Sequence, residues 1–327
     1  MPWLKSIASA VATWPILIVG FALAGGCAST VKPDSALDVV YPVDTVADRH
    51  LQTMDIYSPP TGKDHPVVLM IHGGGWTSGD KADPDVVNNK MPWFVSQGYV
   101  FISMNYRLRP AALVRDQVLD VAMAMQYIYR NILRYRGDPT HILLMGHGSG
   151  AYLAAIVATD KDFMQSRGMD PKEIPGVVLL DPQAMDLPSE LPMLQESDLP
   201  LYRTYLSVFG QDADPTNSGT QNWTGLSPLH YLQESGVEIP YLIAVSSDDD
   251  QGPDYIASQL FVKSLIDAKI PVSFKHLEYL THATISSNIG SAEDARTTKE
   301  TLSSDVAAFL ANPAGFASGA GLPQATY

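Results

Sequence analysis

The chain has a single cysteine in 327 residues, which excludes an intrachain disulfide and any thiolate cluster for a metal. Positive charge is also scarce. Lys and Arg number 21 against 35 Asp and Glu, and the formal net charge of -14 disfavours nucleic acid and anionic membrane surfaces as partners. No internal repeat occurs. His50, His65, His141 and His230 lack partners at metal-ligand spacing, so no metal site and no cofactor is expected. What is present is apolar content of 46%, enough over this length to bury one large core.

The lone cysteine stands at a telling place. Lys5 precedes a largely apolar stretch from Ile7 to Gly26 that ends at Cys27. This resembles a bacterial lipoprotein signal with Leu23-Ala24-Gly25-Gly26-Cys27 as the lipobox, although Ala24 holds the position three before the cysteine where a branched residue is usual. The reading is an export segment over residues 1–26, lipidation at Cys27, and a solvated tether over 27–42. An uncleaved anchor and an ordinary secretory signal are the alternatives. Each places the domain outside the cytoplasm, and lipidation would hold it to a membrane.

From residue 43 the pattern changes. Val43 to Ala47 and Leu51 to Tyr57 read as short edge strands. Val67 to Ile71, Tyr99 to Tyr106, His141 to Met145, Val177 to Leu180, Tyr241 to Val245 and Val272 to Leu277 read as further strands, several of them continuous apolar runs suited to burial on both faces. Helical spacing marks Asp116 to Tyr135, Ala151 to Thr159, Tyr255 to Asp267 and Ala295 to Ala311. Alternation of this kind predicts an α/β domain over residues 43–312: a doubly wound, mostly parallel sheet with helices on both faces. Residues 182–235, rich in proline, break the rhythm and are expected to form a small lid across the carboxyl ends of the strands. Residues 313–327 read as a loose tail.

Two glycine-rich segments carry the chemistry. In His72-Gly73-Gly74-Gly75-Trp76, directly after a buried strand, glycines let backbone N–H groups converge on one point, as an oxyanion hole requires. In Gly146-His147-Gly148-Ser149-Gly150 the outer glycines frame the position where Gly-x-Ser-x-Gly would hold a serine on a strand-to-helix turn. That position is Gly148.

With Asp55-Ile56-Tyr57-Ser58-Pro59, Asn105-Tyr106-Arg107-Leu108, Gly137-Asp138-Pro139 and Thr281-His282-Ala283-Thr284-Ile285, these segments make the chain similar to the α/β-hydrolase superfamily. The resemblance is to its acetyl esterase, feruloyl esterase and kynurenine-formamidase-like branch. It implies a carboxylic ester hydrolase with a nucleophile at residue 148, an acid after the strand at Tyr241 to Val245, and His282 as base. The acid falls on Asp249 when counted from Pro240, on Asp250 when counted back from Ser258, with Asp248 a third choice. Gly74, Gly75 and Ser149 would supply the oxyanion-hole N–H groups. His72 and His147 are expected to brace loops.

Gly148 supplies no hydroxyl, and three explanations stand side by side. An esterase can have lost its serine while keeping base and oxyanion hole. Ser149 can act as nucleophile out of register. Alternatively, the pocket can serve a noncatalytic binder of esters or sugars. The implied partner is a small-molecule ester or acylated carbohydrate, with Trp76, Trp93, Trp223, Tyr202 and Tyr205 as candidate aromatic lining.

Overall fold

The computed structural model describes residues 32–42, 49–165, 167–170, 173–213, 223–236, 238–246, 252–294 and 301–316. Cys27, the expected export segment and the strand expected at Val43 to Ala47 lie outside them. The eight strands are β1 (Asp34–Val40), β2 (Thr53–Ser58), β3 (His65–Ile71), β4 (Val100–Met104), β5 (Gly137–His147), β6 (Val177–Leu180), β7 (Tyr241–Ser246) and β8 (Val272–Leu277). Their order in one sheet is β1-β2-β4-β3-β5-β6-β7-β8. β1 pairs antiparallel with β2 and β2 antiparallel with β4, while every pair from β4 onward is parallel.

β1 corrects one boundary. Its residues fall in the segment assigned to the tether, yet they form the sheet's exposed edge strand. The sequence hid it because an edge strand wetted on both faces shows no apolar alternation. Asp38, at φ 53° in a bulge of this strand, donates its N–H to Asp55 Oδ1 at 2.8 Å.

Twelve helices are described: α1 (Pro84–Val87), α2 (Lys90–Ser96), α3 (Val114–Asn131), α4 (Ser149–Thr159), α5 (Lys161–Gln165), α6 (Leu187–Ser197), α7 (Leu199–Ala213), α8 (Pro228–Ser235), α9 (Pro253–Asp267), α10 (His282–Asn288), α11 (Leu302–Ala311) and α12 (Pro313–Phe316). β3 shows how the layers form. Val67, Leu69 and Ile71 pack into one core with residues of α3, α4 and α9, whereas Val68 and Met70 pack into another with Phe94 of α2 and Val306 of α11. Period-two alternation thus feeds two helical layers, so the strands read as unbroken apolar runs.

The proline-rich insertion is helical, as α6, α7 and α8. Tyr205 and Phe209 of α7 meet Trp76 edge-on, with ring centroids 5.9 and 4.8 Å away. α12 places ordered structure at the start of the segment read as a loose tail.

The motif residues beside β2 and β4 are structural. Lys81 Nζ reaches Asp55 Oδ1 at 2.7 Å, and Asn105 accepts from Lys81 N at 2.6 Å. Arg107 Nη2 lies 2.8 Å from Asp120 Oδ1, on a carboxylate with no solvent exposure. Among the described residues no helix is long and apolar enough to cross a membrane.

Candidate active site

β5 ends at His147, the chain turns at Gly148, and α4 starts at Ser149. Gly148 has φ 52° and ψ -120°, a conformation that L side chains adopt only under strain. Gly150 is required by close approach: a Cβ there would lie 2.2 Å from the Ile71 carbonyl oxygen at the end of β3. A Cβ placed at ideal geometry on Gly148 meets His282 Nε2 and Cε1, both at 3.3 Å, and Gln183 Oε1 at 3.5 Å. The side-chain direction of residue 148 therefore leads to the imidazole of His282.

His282 opens α10, whose cap is a reciprocal pair between Thr281 and Thr284. The helix is anchored from α2, where fully buried Lys90 donates Nζ to the Ser286 carbonyl, the Ser286 hydroxyl and the Asp85 carbonyl. Burial pushes the Lys90 ammonium down to about 7.

His282 Nδ1 lies 3.3 Å from Asp181 Oδ2. The contact is an ion-pair distance without hydrogen-bond alignment, since Oδ2 has no hydrogen-bond partner. Asp181 follows β6 directly at φ 42°, and its Oδ1 accepts from Ser246 N at 2.6 Å. Sequence reasoning missed this residue, although a carboxylate at the carboxyl end of a buried parallel strand is itself a site signal. Asp248, Asp249 and Asp250 lie outside the described residues.

In the loop after β3, the N–H groups of Gly74 and Gly75 donate no hydrogen bond among the described residues. The same holds for the N–H of Ser149, one of the donors a helix leaves unpaired in its first turn. The Ser149 side chain is fully buried, with an unpartnered hydroxyl near the Tyr106 phenol. His72 is buried and stacks on Tyr106 at 4.4 Å, with Nδ1 2.7 Å from the Gly73 carbonyl.

A cavity of about 400 Å³ opens beside His282 and Asp181, walled by Gln183, Asp254 and Tyr255, with Leu194, Asp198 and Leu201 from α6, α7 and their junction. The insertion thus covers the carboxyl end of the sheet. The expected aromatic lining is absent from this cavity: Trp76 and Tyr205 are core, Trp93 packs on Phe94, and Tyr202 and Trp223 line a separate recess. Large rings maximise burial where the insertion docks, and that requirement decides their place. Behind the cavity wall Glu190 is buried, and burial followed by the Asp254 charge pushes its carboxyl well up.

The BD-FAE family model matches residues 54–176. Over 233 residues the chain is 24% identical to the probable carboxylic ester hydrolase LipM of Mycobacterium tuberculosis, covering 67% of this chain and 49% of that one. It is 30% identical over 116 residues to a probable isoprenylcysteine alpha-carbonyl methylesterase of Arabidopsis thaliana, covering 35% of this chain and 27% of the relative. The match thus spans about half or less of these relatives. Esterase B from Lactobacillus Rhamnosis superposes with a TM-score of 0.59 at 24% identity, over 76% of this chain and 75% of that one. An esterase of Pyrobaculum calidifontis gives 0.58 at 20% identity, over 79% and 80%. The fold is the α/β-hydrolase fold.

Within this fold, His147, Asp181 and His282 bring one ligand-type atom each within 4.8 Å of one another, a spacing that admits a metal ion. The chemistry fits poorly. His147 Nε2 is 2.9 Å from the His282 carbonyl oxygen, an acceptor only, so that nitrogen carries the proton and has no lone pair to give. A Cβ on Gly73 would lie 2.9 Å from the other ring nitrogen. His147 instead supports the loop that holds His282.

Burial, then the neighbouring His282 and Lys90 charges, lower the His147 imidazole from 6.5 to about 4. The native state therefore holds it neutral while the unfolded chain takes up a proton below pH 6.5. Stability from this group is full above pH 6.5 and falls by about 3 kcal/mol as pH drops to about 4. Urea unfolding between pH 7 and 4 should show this acid-side loss, and His147→Gln should flatten it.

Proposed function

We propose that this chain presents the site of a carboxylic ester hydrolase in which Gly148 holds the place of the serine. The observation that carries the reading is the direction of residue 148: a Cβ there faces His282 Nε2 at 3.3 Å, a separation that a serine hydroxyl would bridge. His282 is the base, its Nδ1 turned to Asp181. Gly74, Gly75 and Ser149 supply N–H donors for an oxyanion, and Ser149 contributes no side-chain chemistry. The substrate is a small-molecule ester, consistent with the ester hydrolases it resembles. Restoring serine at residue 148 and assaying a short p-nitrophenyl ester tests the reading.

The acid can be tested in that same background. Asp181→Asn is expected to lower kcat by at least about tenfold, because the carboxylate charge 3.3 Å from Nδ1 stabilises the imidazolium that forms on His282. Asp248→Asn, Asp249→Asn and Asp250→Asn are the comparison, since the resemblance puts the acid there. If one of those three abolishes turnover while Asp181→Asn leaves it intact, the role passes from Asp181 to that residue.

A noncatalytic ester- or sugar-binding role is the second reading, favoured by Gly148 itself. As to location, the signal-like stretch before Cys27 supports an exported domain tethered by lipid to a membrane. In a bacterial host the protein should partition with detergent, and Cys27→Ser should release it or leave it unprocessed. Equal retention of both forms with an intact N-terminus would favour an uncleaved anchor.

A further inference from the structure

α10 is a seven-residue helix that carries His282 at its start, and much of its hold on the fold is at the other end. The last carbonyls of a helix have no donors within it. Here the start of α2 supplies them from 196 and 198 residues away in sequence. Lys90 Nζ meets the Ser286 carbonyl at 2.5 Å and the Ser286 hydroxyl at 2.6 Å, and Asn89 Nδ2 meets the Ser287 carbonyl at 2.9 Å. The Asp85 carbonyl lies 2.6 Å from Nζ, so all three N–H groups of the ammonium have acceptors.

Lys90 is costly to the fold by itself. It is fully buried, and burial pushes its ammonium down against the opposing Asp85 charge, while its own charge helps to lower His147. It is also the first residue of α2, the helix end that disfavours a cation, yet it stands at the carboxyl end of α10, which favours one. An apolar side chain would fill the same space without these costs. Losing the proton does not release the grip: a neutral amine gives its two N–H groups to the two carbonyls and accepts the Ser286 O–H.

We propose that Lys90 is the positioning residue of the base, its bonds to Ser286 setting α10 and with it the place of His282 opposite residue 148. The proposal rests on the esterase reading above. A helix of this length is a rigid lever about 10 Å long, so a tilt at Ser286 displaces the imidazole. Its contacts at 3.3 Å with Asp181 and with the side-chain direction of residue 148 leave little tolerance, since a misplacement of about 1 Å can cost about a hundredfold in rate. The cavity wall comes mostly from α6, α7, α9 and the loop after β6, and Lys90 bonds to none of them. Turnover should therefore suffer while substrate binding does not.

The test places Lys90→Met in the full chain carrying Gly148→Ser and measures p-nitrophenyl acetate hydrolysis and labelling by a p-nitrophenyl phosphonate. The expected result is a kcat and a labelling rate at least about tenfold lower, with KM within about twofold. Lys90→Gln, matched to Met in length but bearing two N–H donors, should recover part of the rate. In the unaltered chain Lys90→Met should also shift the ring NMR signals of His282, a reading that needs no nucleophile. Should Lys90→Met fail to fold, Ser286→Ala carries the test, with kcat lowered by at least about threefold and KM kept. An unaltered kcat, a Gln variant no better than Met, or unmoved His282 signals overturns the proposal. If Gly148→Ser labels and turns over ester equally with either residue at position 90, the esterase reading stands and the positioning role falls. If Gly148→Ser is inert with Lys90 in place, the esterase reading falls and the proposal with it.

Discussion

Gly148→Ser is expected to raise hydrolysis of a short p-nitrophenyl ester by about three orders of magnitude or more, with a burst and covalent phosphonate labelling at residue 148. In serine hydrolases of this logic, removing the nucleophile costs about six decades of kcat, while roughly three to four decades over water persist from the oxyanion hole and binding. The gain is set below the full six because the new side chain must fit. Its Cβ would sit 3.3 Å from two His282 ring atoms, so the ring has to shift by a few tenths of an ångström. The backbone at φ 52° also charges serine a strain that glycine escapes, and the variant should lose roughly 1 to 3 kcal/mol of stability. Ser149→Ala should change little in either background, since the N–H survives and the buried hydroxyl has no partner to lose. Should the variant fold with His282 in place and neither label nor turn over ester, the binding-protein reading becomes the better one.

Arg107→Met is expected to destabilise the fold by about 3 to 5 kcal/mol, the range for leaving one member of a buried ion pair behind. Asp120 is fully buried, accepts from the Arg107 guanidinium through Nε and Nη2, and also accepts from Arg107 N at 2.9 Å. Burial raises the Asp120 carboxyl even with its partner in place, so without Arg107 it must either bear an uncompensated charge or bind a proton. Urea unfolding of Arg107→Met against Arg107→Met/Asp120→Leu checks the cause. The double variant should recover most of the loss, whereas equal losses in both would show that the guanidinium matters through packing on α3.

The site lies where local and non-local order meet. β5, Gly148 and α4 are contiguous in sequence and were legible, because a strand-to-helix turn compressed between glycines leaves a local pattern. His282 was legible for a similar reason, standing on a short loop after β8. Asp181 and Gln183 were not. They follow β6 in a stretch that reads as the start of an irregular insertion, and only the parallel pairing of β6 with β5 and β7 sets them beside Gly148 and His282.

By itself the sequence determined the layered architecture, since continuous apolar strands alternating with amphipathic helices admit few packings other than a sheet covered on both faces. It also determined that residue 148 has no hydroxyl, a covalent fact no folding can change. Tertiary structure alone decided that Asp181 lies 3.3 Å from His282, that Gln183 turns its oxygen toward Gly148, and that Trp76 and Tyr205 fill core where the sequence left them open as pocket lining. Those outcomes depend on side chains separated by about 100 residues or more in several cases, such as Asp181 and His282, and a one-dimensional pattern records periodicity along the chain but not which loops share an edge of the sheet.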